Sequence, residues 1–185
     1  AQYRAADAAA FCLDLARNLI RVKILNARTL LRRNHPDPPS DALDALKRFA
    51  QQAEAVESLE SLLGIEGMAA KTYFAHFGAL LKPSPATDPP PGTAQMTFAF
   101  EHRNRRPPRD PVNAMLSFAY ALFTKDWTIT LASVGFDPYL GFYHQPRYGR
   151  PALALDMMEP FRPLLPDSVV LWAVNNGAVP YTHLT

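Results

Sequence analysis

GFDPYLGFYHQPRYGRPALALDMMEPFRP, residues Gly135 to Pro163, holds a histidine, three arginines and two spaced acids in one turn-plus-helix unit. Asp137-Pro138, Gln145-Pro146 and Gly149 are turn signals, so His144 is expected on a loop. The loop should end at Pro151, a residue suited to a helix's first turn because its missing N–H is not needed there. On the helix that follows, Asp156 and Glu159 stand three residues apart, which puts both carboxylates on the face that His144 is expected to meet. One imidazole with two or three carboxylates suits magnesium or manganese better than a closed zinc site, which normally recruits cysteines. Cys12 is the chain's one cysteine. On spacing alone the commoner arrangement is a hydrogen-bonded histidine beside a solvated acidic face, and both readings stand at this level.

Upstream the pattern is helical. Phe11, Leu15, Leu19, Val22, Leu25 and Leu30 recur at helical intervals and predict a helix from about Ala5 to Arg33, with its apolar stripe packed into a core. After the proline break at Pro36–Pro39, Ser40 or Asp41 can cap a second helix carrying Leu43, Leu46, Phe49, Val56, Leu59, Leu62 and Leu63 as far as Gly64. Glu66 lies between Gly64 and Gly67, where a further helix is expected to begin. On spacing, it is an acid favoured by a helix's positive end. Residues 82–92, rich in proline, read as a loop, and Met96–Phe100 as a short extended piece. Asp110 should cap a helix with Pro111 at its first position, burying Met115, Leu116, Ala119, Leu122 and Phe123 and ending near Gly135. Asn113 there reads as a buried polar group. Beyond Pro163, Ser168–Val174 is apolar and rich in β-branched residues.

With 185 residues, 48% of them apolar, the chain is long enough for one domain with a core. It contains no apolar run of the roughly 20 residues that a membrane span needs. The opening AQYRAADAAAFC lacks the features of a secretory signal, and a single cysteine fits a reducing compartment, so a cytoplasmic location is expected. The net charge of +2 says little, but Arg103, Arg105, Arg106 and Arg109 fall within seven residues, and Arg147 and Arg150 adjoin His144. Such clusters are either solvated loops or phosphate-binding footprints.

Four stretches carry a resemblance. Asp137 to Phe142, His144, Gly149 to Pro151, Leu153 to Asp156, Met158, Glu159 and Phe161 to Pro163 resemble the CRISPR-associated integrase of spacer acquisition, the Cas protein numbered one. Leu62 or Leu63, Gly64, Glu66, Gly67, Ala69, Ala70, Tyr73 and Phe74 match that family's first metal-ligand motif. Asp110 to Phe118 match a third run, and Lys23 to Asn26 its Lys-x-x-Asn stretch. The resemblance runs from about Gln2 to Val179 and implies an all-α, multi-helix catalytic domain over residues 1–179. It is expected without the family's amino-terminal β-rich domain, and with an atypical tail at residues 180–185. It also favours helix over strand for residues 168–174.

The implied activity is a metal-dependent DNA endonuclease and integrase. It inserts new spacers into a CRISPR array by attack of a 3′-hydroxyl on a phosphodiester. Glu66, His144 and Glu159 would be the catalytic metal ligands for Mn2+ or Mg2+, with Asp156 as a fourth ligand or a supporting acceptor. Arg103, Arg105, Arg106, Arg109, Arg147 and Arg150 would hold DNA phosphates, and Asn113 is a candidate supporting or phosphate contact. The implied partners are DNA, a second copy of the full-length protein and a small ferredoxin-like CRISPR-associated subunit. A non-catalytic helical interaction module is the alternative. Pro160 stands where the family commonly has an acid, so a kink is expected between the two acids of the helix.

Overall fold

The computed structural model describes residues 1–82, 98–104 and 107–178. The expected loop over 83–92, the start of the extended piece at 96–97, Arg105, Arg106 and the tail at 180–185 lie outside them. Among the described residues all regular structure is helical, apart from an isolated bridge between Arg147 and Arg150. The all-α expectation holds.

Helix α2 (Ala9–Asn34) is the spine against which α3 (Ser40–Ala55) and α4 (Leu59–Ala75) pack. Its buried face is Cys12, Ala16, Ile20, Ile24, Ala27, Leu30 and Leu31, so that of the stripe expected from the sequence only Leu30 is fully buried and Leu25 packs against the core's edge. Phe11 and Val22 from that stripe are exposed. On the inner face small residues (Ala16, Ala27) alternate with Ile20, Ile24, Leu30 and Leu31, so the neighbouring helices come close at the alanines and interlock with the larger side chains. Leu46, Leu62, Tyr73, Leu116 and Val170 complete this core from four other helices.

Two expected helices are broken. The first is split into α1 (Gln2–Ala6) and α2 by an extended Ala8. Turned aside, α1 holds the loop ahead of His144: the Gln2 amide donates to the Asp137 and Leu140 carbonyls, each at 2.9 Å, and accepts from the Asp137 N–H at 2.8 Å. The second is split at Val56, whose extended carbonyl accepts from the Arg17 guanidinium of α2. Ser58 then caps α4 by accepting from the Ser61 N–H at 3.1 Å. Glu66 consequently sits in the middle of α4. The first-turn reading of that acid is overturned.

Helix α5 (Pro111–Ser133) starts as expected, Asp110 accepting from the Asn113 N–H at 2.8 Å, and ends two residues before Gly135, whose φ is +88°. Leu122, expected inside, is exposed. Helix α6 (Ala152–Met158) has Pro151 immediately before it, at its cap. The expected kink is present: the chain tightens to a 3-10 turn over Glu159–Phe161, continues as a π turn over Pro163–Asp167, and enters α7 (Ser168–Asn175). With no N–H on Pro160, the Asp156 carbonyl takes the Glu159 N–H instead. From α2, Asn26 donates to the Pro160 carbonyl at 2.8 Å and pins the kink in place.

Candidate metal centre

The centre is organised by a buried carboxylate. Asp156, 0% exposed, accepts three consecutive loop N–H groups: Phe142 at 2.6 Å and Tyr143 at 3.0 Å on Oδ2, and His144 at 2.9 Å on Oδ1. The loop can come this close because residue 141 is glycine. A Cβ there would stand 2.8 Å from the Ala152 Cβ and 2.9 Å from Asp156 Oδ2. The carboxylate thus replaces the hydrogen-bonding partners that an irregular buried backbone lacks.

Asp156 Oδ1 also lies 2.7 Å from His144 Nδ1. A carboxylate only accepts, so Nδ1 carries the proton and Nε2 is left with its lone pair when the ring is neutral. Nε2 points to Glu159, 3.8 Å from Oε1. The kinked segment therefore presents its two acids to the two ring nitrogens of one imidazole. This is the arrangement in which a histidine ligates a cation through one nitrogen and is held by a carboxylate through the other.

Glu159 is 1% exposed, and its Oε1 is ion-paired with Arg162 Nη2 at 2.9 Å. Its Oε2 lies 2.6 Å from Lys23 Nζ, off the hydrogen-bond direction, and so has an electrostatic partner but no hydrogen bond. Burial alone would raise the Glu159 carboxyl. Arg162, Lys23 and His144 outweigh it and hold the group below its usual range. Glu66 comes across from α4, its Oε1 paired with the same Lys23 ammonium and its Oε2 accepting from the Tyr143 hydroxyl at 2.5 Å. Burial and the neighbouring Glu66 push the Tyr143 phenol well above its ordinary value, which keeps it a donor.

Behind Glu159 lies a second buried acid. Asp167 accepts from the Tyr73 hydroxyl at 2.8 Å and from the Tyr120 hydroxyl at 2.6 Å, and burial pushes its carboxyl up to about 6. Arg162 spreads over the Tyr120 ring, 5.1 Å from its centroid, and so links this acid to Glu159.

Glu66, His144, Glu159 and Asp156 are thus brought into one cluster. Among the described residues, however, no three His, Cys, Asp or Glu side chains are arranged to hold a metal as they stand. The reason is visible: Lys23 fills the space between Glu66 and Glu159, and both Asp156 oxygens are engaged by N–H groups. The donor chemistry nonetheless fits a hard divalent ion. It offers two carboxylates, a correctly oriented imidazole and a buried carboxylate oxygen that lacks a hydrogen bond.

The basic residues are divided. Arg103 is drawn inward, donating to Asn113 Oδ1 at 2.7 Å and to Ser117 Oγ at 3.1 Å. Asn113 is 0% exposed; it also accepts from the Asn104 N–H and donates to the His102 carbonyl and Asp110. Asn113 is thus the buried polar group that the sequence suggests, satisfied by the loop before α5 that it organises, and its amide atoms are engaged there and not by a phosphate. Arg109 and Arg147 are exposed and Arg150 is half-buried, the last two on the loop from His144 to α6. Lys23, Tyr143 and Arg162 are site residues to which the sequence reading gave no role. Lys23 lies in the matched Lys-x-x-Asn stretch, which was the available signal.

Similarity to known proteins bears on this cluster. A Cas4/Cas1 exonuclease–endonuclease fusion from Geobacter sulfurreducens is 53% identical over 91% of this chain and 30% of its own length. A Cas1 endonuclease of Thermus thermophilus is 42% identical over 97% of this chain and 49% of its own. A solved chain in a partial Cas6-RT-Cas1–Cas2 complex superposes with a TM-score of 0.83 at 30% identity, covering 98% of this chain and 51% of that one. The chain thus spans between about a third and about half of these relatives' own length. No helix among the described residues is long and apolar enough to cross a membrane. The profile of the family described as CRISPR associated protein Cas1 matches residues 1–185, and the chain belongs to that family.

Proposed function

We propose that this chain is the catalytic domain of a metal-dependent DNA endonuclease and integrase that inserts spacers into a CRISPR array. The observation that carries the reading is His144, whose Nδ1 is held by Asp156 while Nε2 faces Glu159. Glu66, His144 and Glu159 would hold Mn2+ or Mg2+. When bound, the ion would neutralise phosphate oxygens and favour ionisation of the attacking hydroxyl.

The residues themselves do the rest. Asp156 fixes the imidazole tautomer, Tyr143 orients Glu66, and Arg162 orients Glu159. In joining, a 3′-hydroxyl forms a new bond to phosphorus while the target strand's own 3′-oxygen leaves; with water as the attacker, the same site cuts. Exposed Arg109 and Arg147, with Arg150 and the arginines at 105 and 106, would grip phosphates without reading bases. The proposed partners are DNA, a second copy of the full-length protein and a small ferredoxin-like subunit. The Cas1–Cas2 assembly named for the structural neighbour supports the last of these.

Calorimetric titration of Mn2+ tests the reading. Saturable binding is expected in the parent, lost in His144→Ala and Glu159→Gln, and weakened about 10- to 100-fold in Asp156→Asn, the cost typical of losing a ligand's supporting acceptor. A strand-transfer assay on a repeat-containing duplex should yield joined strands as well as cut ends. The second reading, a helical interaction module with a self-neutralised charge cluster, is favoured by Lys23 between the two glutamates. Equal and weak Mn2+ binding by the parent and His144→Ala would select it.

A further inference from the structure

Lys23 projects from α2 into the space between two acids that come from other elements. Its ammonium pairs with Glu66 Oε1 and stands 2.6 Å from Glu159 Oε2. The side chain is only 17% exposed, so these pairs are largely shielded from solvent. Two carboxylates brought together in a buried place repel, and leaving them uncompensated is costly. With Arg162 on the far oxygen of Glu159, the local charge of the two acids is balanced. A divalent ion binds carboxylate oxygens at about 2.1 Å. An ion shared by Glu66 and Glu159 would therefore need the place the ammonium takes, and would be repelled by an ammonium that stayed.

Resting on the metal-dependent reading above, we propose that Lys23 is the centre's resident counter-cation: it holds Glu66 and Glu159 together, and divalent metal binds by displacing it. Lys23 is a positioning residue with two opposed effects. It keeps the apo site folded and poised, and it lowers the apparent affinity for the ion that replaces it.

Mn2+ calorimetry on the parent, Lys23→Met and Lys23→Arg is the test, with thermal unfolding of each in chelator. Lys23→Met should melt lower than the parent in chelator, and adding Glu66→Gln should restore part of that loss, because one of the repelling charges is gone. In Mn2+ the order reverses: Lys23→Met should bind at least tenfold more tightly than the parent, whereas Lys23→Arg stays close to it. Should Lys23→Met not fold, the parent alone decides through reductive methylation read by mass spectrometry. Saturating Mn2+ should then speed Lys23 modification severalfold, as the freed amine leaves its ion pairs. Unchanged or weaker Mn2+ affinity in Lys23→Met, or an unchanged Lys23 methylation rate, overturns the proposal. If the parent's Mn2+ binding still depends on His144, the metal reading survives that failure. If no variant binds Mn2+, both readings fall.

Discussion

Single residues decide the chemistry here through their partners. Asp167 is the clearest example, a buried carboxyl pushed up to about 6 from an ordinary value near 3.8. A folded-state value above the unfolded one means that the folded protein holds this proton more tightly. The associated stability is present below pH 3.8 and is lost as pH rises through 6. A shift of about two units corresponds to about 3 kcal/mol. Asp167→Asn has no such proton, so its stability relative to the parent should rise between pH 4 and pH 7, as read from denaturant midpoints across that range. Glu159 and His144 were legible in the sequence as residue types at suggestive spacings, and Glu66 only through the family resemblance. Their partners were not: Lys23 reaches Glu66 across 43 positions and Tyr143 reaches it across 77, and no local pattern encodes such pairings.

At the scale of elements, the loop before α6 and the kink after it position the site together. Gly141→Ala would drive a Cβ into the Ala152 backbone and against Asp156 Oδ2, a carboxylate held in place by the loop N–H groups. It is expected to cost about 1–3 kcal/mol in denaturant unfolding. On the proposed function, Mn2+ affinity should fall as well, because the loop N–H groups and His144 would lose Asp156. The kink was legible because a proline interior to a helix has one local consequence. The break at Val56 was hidden, since neither glycine nor proline marks it and the apolar spacing continues across it. Only Ser58, a cap ahead of an apolar run, signalled it. The face of α2 was partly misread because the stripe was traced through Phe11, Leu15, Leu19 and Val22, while the buried face runs through Cys12, Ala16, Ile20, Ile24 and Ala27, whose smaller members carry little weight in a hydrophobic pattern.

For the molecule as a whole, α2 serves both the core and the site, giving Ile20 and Ile24 to the one and Lys23 and Asn26 to the other. Most helices were legible because helical periodicity is local, whereas residues 168–174, rich in β-branched side chains, were read as helix only from the family resemblance. The arrangement that brings α2, α4 and the kinked segment to one centre depends on packing between distant stretches, and the family resemblance, not the periodicity, pointed to it. On the proposed function, phosphate contacts govern DNA affinity at this scale. Filter binding from 50 to 200 mM salt should show a linear fall of log affinity against log salt, and Arg147→Ala should make the slope shallower by about one unit without changing sequence preference.

The three N–H groups gathered on Asp156 give the centre a signature of its own. Phe142, Tyr143 and His144 belong to no helix or strand, and amides of such loops ordinarily trade their hydrogens with water quickly. Here all three end on one buried oxygen pair, so none can open without stripping the carboxylate. In deuterium-exchange measurements they should behave as a single slow unit that opens together with α6, a patch of core-like protection within an irregular loop.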